Sequence, residues 1–330
     1  MFKGRISRLL IGTALSALPM AAAAQTFDFT PDTTRILSDP AFLPLTGQIY
    51  GVTDYTYTDV HGTSRDFTGA LQSMSREWSD QIRQTLAYGI TDDLSVGANI
   101  AYDPFDEHKR ELVGGGSVIQ KDSGFADPTF NITWRAFDQA VQPVNLDLFG
   151  SYSPDWITAK TATSTDDGTI ARGGQAGSVG VALSHVTRSF TIYGSFAADL
   201  SGRTKVENPT NDAVTETGSR TDYTLALDTQ TRFTDRLSLN AGLAHVWNAS
   251  ATVFNSASDV THLNQPENGN NLRVALNYHL VPNTVVASLT YGRDFQENTR
   301  NVFPALEAAN DSLRSRDANL YGAKLDYVFP

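Results

Sequence analysis

The sequence predicts an all-β chain: a transmembrane, antiparallel, up-and-down β-barrel of about 12 strands, with short periplasmic turns and long external loops. Three observations predict it. Apolar and polar residues alternate with period two over successive segments, the signature of strands rather than of amphipathic helices with their 3.6-residue period. The links between those segments alternate strictly between short and long. The chain also opens with a leader of the exported type, so the sheet is expected in an envelope rather than in the cytosol.

Composition agrees and narrows the function classes. The 330 residues are 40% hydrophobic and 18% charged, and they include no cysteine. That excludes a disulfide framework, a thiolate metal site and a cysteine nucleophile. No run of 18 or more apolar residues is present, so no helical membrane span is expected. The net charge of −11 argues against a nucleic-acid partner, because phosphate neutralisation needs a surplus of Lys and Arg.

In chain order, Lys3, Arg5 and Arg8 form a basic start, Leu9 to Leu18 an apolar stretch, and Ala22-Ala23-Ala24 a small-residue cleavage site before Gln25. Residues 1–24 are expected to be a cleaved export signal. Residues 25–44, including DPAFLPL from Asp39 to Leu45, are expected either in the periplasm or folded inward as a plug. The barrel itself is expected over 45–330.

A first strand runs through Ile49, Tyr55 and Tyr57. Ile82, Leu86, Tyr88 and Ile90 then share one face, and after the Thr91-Asp92-Asp93 turn Leu94, Val96, Ala98, Ile100 and Tyr102 share the next, which makes a hairpin. The same alternation marks strands at Phe130/Ile132/Trp134, Leu146/Leu148/Tyr152, Val179/Val181/Leu183, Phe190/Ile192/Phe196/Leu200 and Tyr223/Leu225/Leu227. It continues at Leu237/Leu239/Leu243, Leu272/Val274/Leu276/Tyr278, Val285/Ala287/Leu289/Tyr291 and Tyr321/Ala323/Leu325/Tyr327/Phe329. Short links fall near 91–93, 137–143, 186–188, 232–236 and 281–283, and long ones near 61–77, 103–125, 154–175, 200–218, 248–270 and 294–316. A soluble sandwich has no reason to gather every long loop at one end. A closed barrel in lipid does, because every backbone polar group must pair internally while one face meets lipid and the other the lumen.

Aromatic residues cluster at strand ends. Tyr102, Tyr152, Trp247 and Tyr291 lie towards the long loops, and Tyr88, Trp134, Phe137, Phe190, Phe233, Tyr278 and Tyr327 towards the short turns. Two interfacial girdles are the expected reading. On the same register Leu239 and Leu276 face lipid, whereas Asn240 and Asn277 face the lumen and should tolerate a charge better; His185, His245 and His279 are expected at the interfaces. The segments ITDDLSVGANIAY (90–102) and FTDRLSLNAGLAH (233–245) echo one another, as expected where Asp recurs in tight periplasmic turns.

The run YGITDDLSVGANIAY and then SGFADPTFNITWRAF at 123–137 resemble the outer-membrane family named for the MetA pathway of phenol degradation. The matching positions are Tyr88, Gly89, Thr91, Asp92, Gly124 and Asp127, with Ala126 and Pro128 departing from its pattern. The resemblance implies a Gram-negative outer-membrane barrel that admits hydrophobic aromatic compounds. The end of the chain, with Tyr321, Leu325, Tyr327 and Phe329, is similar to the terminal signal that the barrel-assembly machinery recognises, displaced one place by Pro330.

No enzyme motif is present: no G-x-S-x-G elbow, no H-E-x-x-H and no P-loop. Ser184 and His185 are adjacent, which in a strand points them to opposite faces. DPFDEH at 103–108 carries three carboxylates, better read as a solvated external loop than as a metal site. No catalytic residue, cofactor or metal is therefore expected. Function falls to the lumen, where the register turns Arg83, Arg135, Arg273 and Lys324 inward against Asp54, Asp127, Asp147, Asp199, Asp222, Asp228 and Asp326. The expected partners are outer-membrane lipid and lipopolysaccharide, the assembly machinery and a small-molecule solute. Two functions stay open: a passive, weakly cation-preferring channel for small solutes, aromatic or hydrophobic ones among them, and a non-conducting barrel whose external loops bind a partner.

Overall fold

The computed structural model describes residues 35–66, 68–163, 167–209, 211–266, 268–302 and 312–329. Residues 1–24, expected to be an export signal, residues 25–34 and Pro330 lie outside them. In chain order the strands are β1 (Ile49–Asp66), β2 (Leu71–Thr91), β3 (Leu94–Leu112), β4 (Ser117–Phe125), β5 (Thr129–Phe137), β6 (Asn145–Ser153), β7 (Ala159–Lys160), β8 (Gly168–Thr169), β9 (Ala176–Val186) and β10 (Phe190–Ser201). There follow β11 (Thr204–Asn208), β12 (Ala213–Thr217), β13 (Arg220–Arg232), β14 (Leu237–Trp247), β15 (Ala251–Asn255), β16 (Val260–Pro266), β17 (Gly269–Val281), β18 (Val285–Val302) and β19 (Ser312–Phe329).

Twelve of these make the wall, counting β4 and β5 as one strand interrupted at 126–128, since both pair with β3. Each wall strand is antiparallel to its neighbours, and β1 closes the sheet on β19 from Ile49↔Phe329 to Asp66↔Ser312. Closure removes the free edges that would otherwise expose unpaired N–H and C=O groups in lipid. The remaining short strands decorate the long connections.

The wall forms because each strand has two chemically different faces. Ile82, Leu86, Tyr88 and Ile90 of β2 point outward and are exposed, as are Ile132 and Trp134 of β5, Val179 and Leu183 of β9, and Leu276 and Tyr278 of β17. Their strand neighbours point inward. Outward aromatic residues end this apolar band on both sides: Tyr102 packs, tilted, against Phe125 at 4.8 Å, and Tyr291 against Tyr321 at 5.5 Å, at the outer side, while Tyr88, Trp134, Phe190 and Tyr278 are exposed near the short turns.

The strands run further than the sequence suggests. The expected loops at 61–77, 103–125 and 294–316 are in large part strand: β1 continues to Asp66, β2 begins at Leu71, β3 continues to Leu112 and β4 occupies 117–125. DPFDEH is therefore not a solvated loop but part of β3, beyond the outer girdle at its far end. Bulges at Asp80/Ile82 and Asp103/Asp106 shift the alternation by one residue. As a result Asp103 and Asp106 both face inward although they are three residues apart.

Candidate functional site: the lumen and its two mouths

The inner mouth is crossed by residues 35–44, whose contacts run around the barrel. Leu37 is 1% exposed and packs with Val286 and Val328, with Phe42 and Tyr50 beside them. The Ser38 carbonyl accepts from Gln230 (2.9 Å) and Asn240 (3.0 Å), and its hydroxyl lies 3.2 Å from His279 Nε2. Asp39 pairs with Arg232 and accepts from the Thr191 hydroxyl and, at 2.9 Å, from the Ala41 N–H. Burial raises its carboxyl above the ordinary value, against the opposing pull of those donors. Further on, the Ala41 carbonyl accepts from Arg135 at 2.7 Å. Thr46 donates both its N–H (3.0 Å) and its hydroxyl (2.7 Å) to Asp92 in the β2–β3 turn. Gly89 lets Leu45 come this close, because a Cβ there would fall on the Leu45 carbonyl.

Below and beside this segment, the inward polar side chains interlock. Asn277, 1% exposed, donates to Ser238 (3.1 Å) and to the Asn240 side chain (3.0 Å) and accepts from Ser288 (2.8 Å). Asn240 and Asn277 thus do face inward, but the expectation that position 277 readily tolerates a charge is corrected: the Ser38 carbonyl sits on Asn240, and Asn277 is sealed within the network. His279 is likewise not an interfacial residue. It is 5% exposed on the lumen face. Its neighbours Tyr278 and Leu280 take the lipid side, so the alternation itself turns it inward.

The inward charges differ in their surroundings. Arg135 and Asp147 form a two-pronged pair at 2.8 and 3.0 Å, both nearly inaccessible. Lys324 lies 3.0 Å from Asp326, which also accepts from the Tyr50 hydroxyl at 2.8 Å. Asp54 sits across from Lys324 and Arg83 in the sheet register and accepts from Thr56 at 3.3 Å. Arg83 itself donates to Gln81 at 2.6 Å. Asp199 accepts from Thr224 (2.9 Å), and Asp228 packs against Gly242 on the neighbouring strand. The positive charge of Arg273 acts on Asp228 and Asp294. Two of the carboxylates serve the wall more than the pore. Asp127, in the break between β4 and β5, accepts from the N–H groups of Trp156 and Ile157, both at 2.8 Å. Asp222 accepts from the Ala249 N–H at 2.7 Å and pairs with Arg220 at 3.0 Å.

At the outer mouth the lumen widens into two cavities of about 510 and 430 Å³. The first is lined by Ser151, Ser178, Asp199, Arg220 and Asp222 among others. The second lies between β1, β2, β3 and β19 and holds Glu77, His108, Arg110, Arg314 and Arg316. His108, 3.7 Å from Glu77, and after it Arg316, 3.2 Å away, hold the Glu77 carboxyl below its ordinary value. Next to this cavity burial raises Asp106 to about 7, reinforced by the charges of Glu77, Asp122 and Asp103. Sequence reasoning singled out Asp106 and His108 within DPFDEH but placed them in a loop, and it missed Glu77, Arg110, Arg314 and Arg316 because they too fall in segments read as loops.

A closed antiparallel barrel of twelve wall strands, apolar outside and polar inside, is the architecture of outer-membrane proteins. Comparison with solved structures gives the same fold. The outer membrane channel COG4313 from Pseudomonas putida F1 matches with a TM-score of 0.53 and 16% identity, over 86% of this chain and 99% of that one. The transport unit of the autotransporter AIDA-I from Escherichia coli matches with a TM-score of 0.53 and 11% identity, over 90% and 96%. No protein family and no curated protein matches the sequence.

Proposed function

We propose that the chain is a non-enzymatic outer-membrane channel for passive passage of small solutes, weakly preferring cations, with the segment 35–44 obstructing its inner mouth. The observation that carries the reading is the contrast between the two ends of one lumen: open cavities with charged linings outside and a docked segment inside. A barrel of twelve strands is wider than one that side chains alone can fill, and here a peptide segment supplies the remaining closure.

Cation preference is supported by the inward carboxylates with no ion-pair partner among the described residues, Asp106, Asp122 and Asp228 among them, because a narrow, low-dielectric lumen focuses their field. The shared fold with the P. putida channel supports passage rather than catalysis. Aromatic and hydrophobic solutes are the class that the resemblance of residues 88–137 implies. Export by the leader at 1–24, residence in the outer membrane, and recognition of Tyr321, Leu325, Tyr327 and Phe329 by the assembly machinery belong to the same proposal. On β19 Tyr321, Leu325 and Phe329 are exposed outward, while Tyr327 lies against Gly51.

The test is conductance in planar bilayers, with reversal potentials in a salt gradient. Discrete steps with a cation-selective reversal potential are expected. A folded, heat-modifiable barrel that passes neither ions nor solute into liposomes, even without residues 25–44, overturns the channel reading in favour of the scaffold whose loops bind a partner.

A further inference from the structure

The cavity of about 430 Å³ at the outer mouth carries an imbalance that the wall does not explain. Three arginines line it, Arg110 from β3 and Arg314 and Arg316 from β19, while Glu77 is the one carboxylate among its described lining residues. Glu77 is already engaged: Arg316 lies 3.2 Å from one of its oxygens and His108 3.7 Å from the other. Arg110 donates to the Ser73 hydroxyl at 3.0 Å, which draws its guanidinium away from β3 and across β2. Arg314 stands on the other side of the same cavity, where the surrounding wall and, after it, the charge of Arg110 lower its pKa. Neither Arg110 nor Arg314 has a carboxylate partner among the described residues.

Two guanidinium groups that line one cavity repel, and a fold gains nothing from holding them so unless an anion binds with them. Each offers planar N–H donors suited to a two-oxygen acceptor. Around them are uncharged polar groups, Gln120, Asn264 and Gln296, and the buried side chain of Val60 forms part of the floor. The volume exceeds what a bare inorganic ion needs. It leaves room for an organic body of several heavy atoms.

We propose that Arg110 and Arg314 form a binding site for the carboxylate of a small organic solute at the outer mouth of the lumen. The site faces the barrel interior, out of reach of lipid headgroups. It stands on the geometry of this cavity and does not require that the barrel conduct. In a cation-preferring pore it is a place of capture ahead of the acidic residues Asp106 and Asp122, not a selectivity filter.

The test uses the purified full-length mature barrel in detergent and titration calorimetry with succinate, its uncharged analogue succinamide, and inorganic phosphate at low ionic strength. Succinate is expected to bind, succinamide not, and phosphate more weakly than succinate. Arg110→Gln with Arg314→Gln should weaken succinate at least tenfold, whereas Arg172→Gln, in the other outer cavity, should leave it unchanged. Heat-modifiable migration verifies that each variant is folded. Absence of succinate binding to the folded wild-type barrel overturns the site, and so does unchanged binding in the double variant. Phosphate binding as tightly as succinate overturns the assignment to an organic carboxylate. Loss of conductance with succinate binding intact would fail the channel reading alone.

Discussion

Replacing Asp39 by Ala should loosen the segment at the inner mouth without unmaking the wall. Asp39 receives three donors there, from Arg232, Thr191 and the Ala41 N–H. Removing one partner of a buried pair costs about 3–5 kcal/mol, chiefly because the other charge stays buried. Arg232 keeps the carbonyls of Thr187 (2.5 Å) and Arg188 (3.2 Å), so the lower end, about 3 kcal/mol, applies. At about 1.4 kcal/mol per tenfold, the undocked population rises roughly a hundredfold. Leu37 burial, worth about 1.5–3 kcal/mol, and the hydrogen bonds of Ser38 still oppose release, so removal of 35–44 should exceed the single substitution. In planar bilayers, mean conductance should rise from wild type to Asp39→Ala to the deletion. Equal conductance for wild type and a folded deletion variant would refute the reasoning, since the segment would then not stand in the solute's way.

Leu276→Arg, on the lipid face, should cost about 2–4 kcal/mol in guanidinium unfolding from vesicles. Asn277→Ala, one residue on and facing inward, should cost about 1–3 kcal/mol by stranding its sealed partners, and a negligible cost would show the network to be slack. Arg135→Ala should destabilise by about 3–5 kcal/mol, because Asp147 is left charged and buried; restoration by Asp147→Asn in the same background would identify that charge as the cause. Asp106, raised to about 7, is neutral below that pH and charged above it, so cation preference should grow between pH 6 and pH 8. Reversal potentials of Asp106→Asn should lack that share of the change.

The wall was legible because lipid and lumen impose opposite chemistry on alternate residues, as in β2, where Ile82, Leu86 and Tyr88 are exposed outward. Where that contrast ends, so does the signal. Beyond the outer girdle both faces of β1, β2 and β3 are wet, and stretches such as Ser73–Glu77 and Asp106–Arg110 look like loop in sequence while the sheet ladder continues through them. The tight turn at Asp92 could be read locally; its service to Thr46 could not. Contacts of Ser38 and Asp39 bridge about 150–240 positions and leave no local pattern. His279 is different, for its place between Tyr278 and Leu280 already implied an inward ring.

The distribution of charge along the lumen follows the work at each end. Near the inner mouth, charges are matched and dry: Asp39 with Arg232, Asp147 with Arg135, Asp326 with Lys324. Such pairs exert little field at a distance, and their value lies in fixing geometry, since each strongly penalises any movement that separates its members. Near the outer mouth, alongside pairs such as Glu77–Arg316 and Asp222–Arg220, like charges are gathered: Asp106 beside Asp122, and Arg110 with Arg314 in one cavity. Grouping like charges costs stability, but water in the cavities keeps that cost modest and the field reaches whatever enters. A barrel whose interior served only to hold its wall together would pair its charges throughout. This one pairs them where a segment of its own chain must stay in place, whereas at the outer end, beside the Glu77–Arg316 and Asp222–Arg220 pairs, Arg110, Arg314, Asp106 and Asp122 have no ion-pair partner among the described residues, and that asymmetry is the strongest physical reason to look for a solute there.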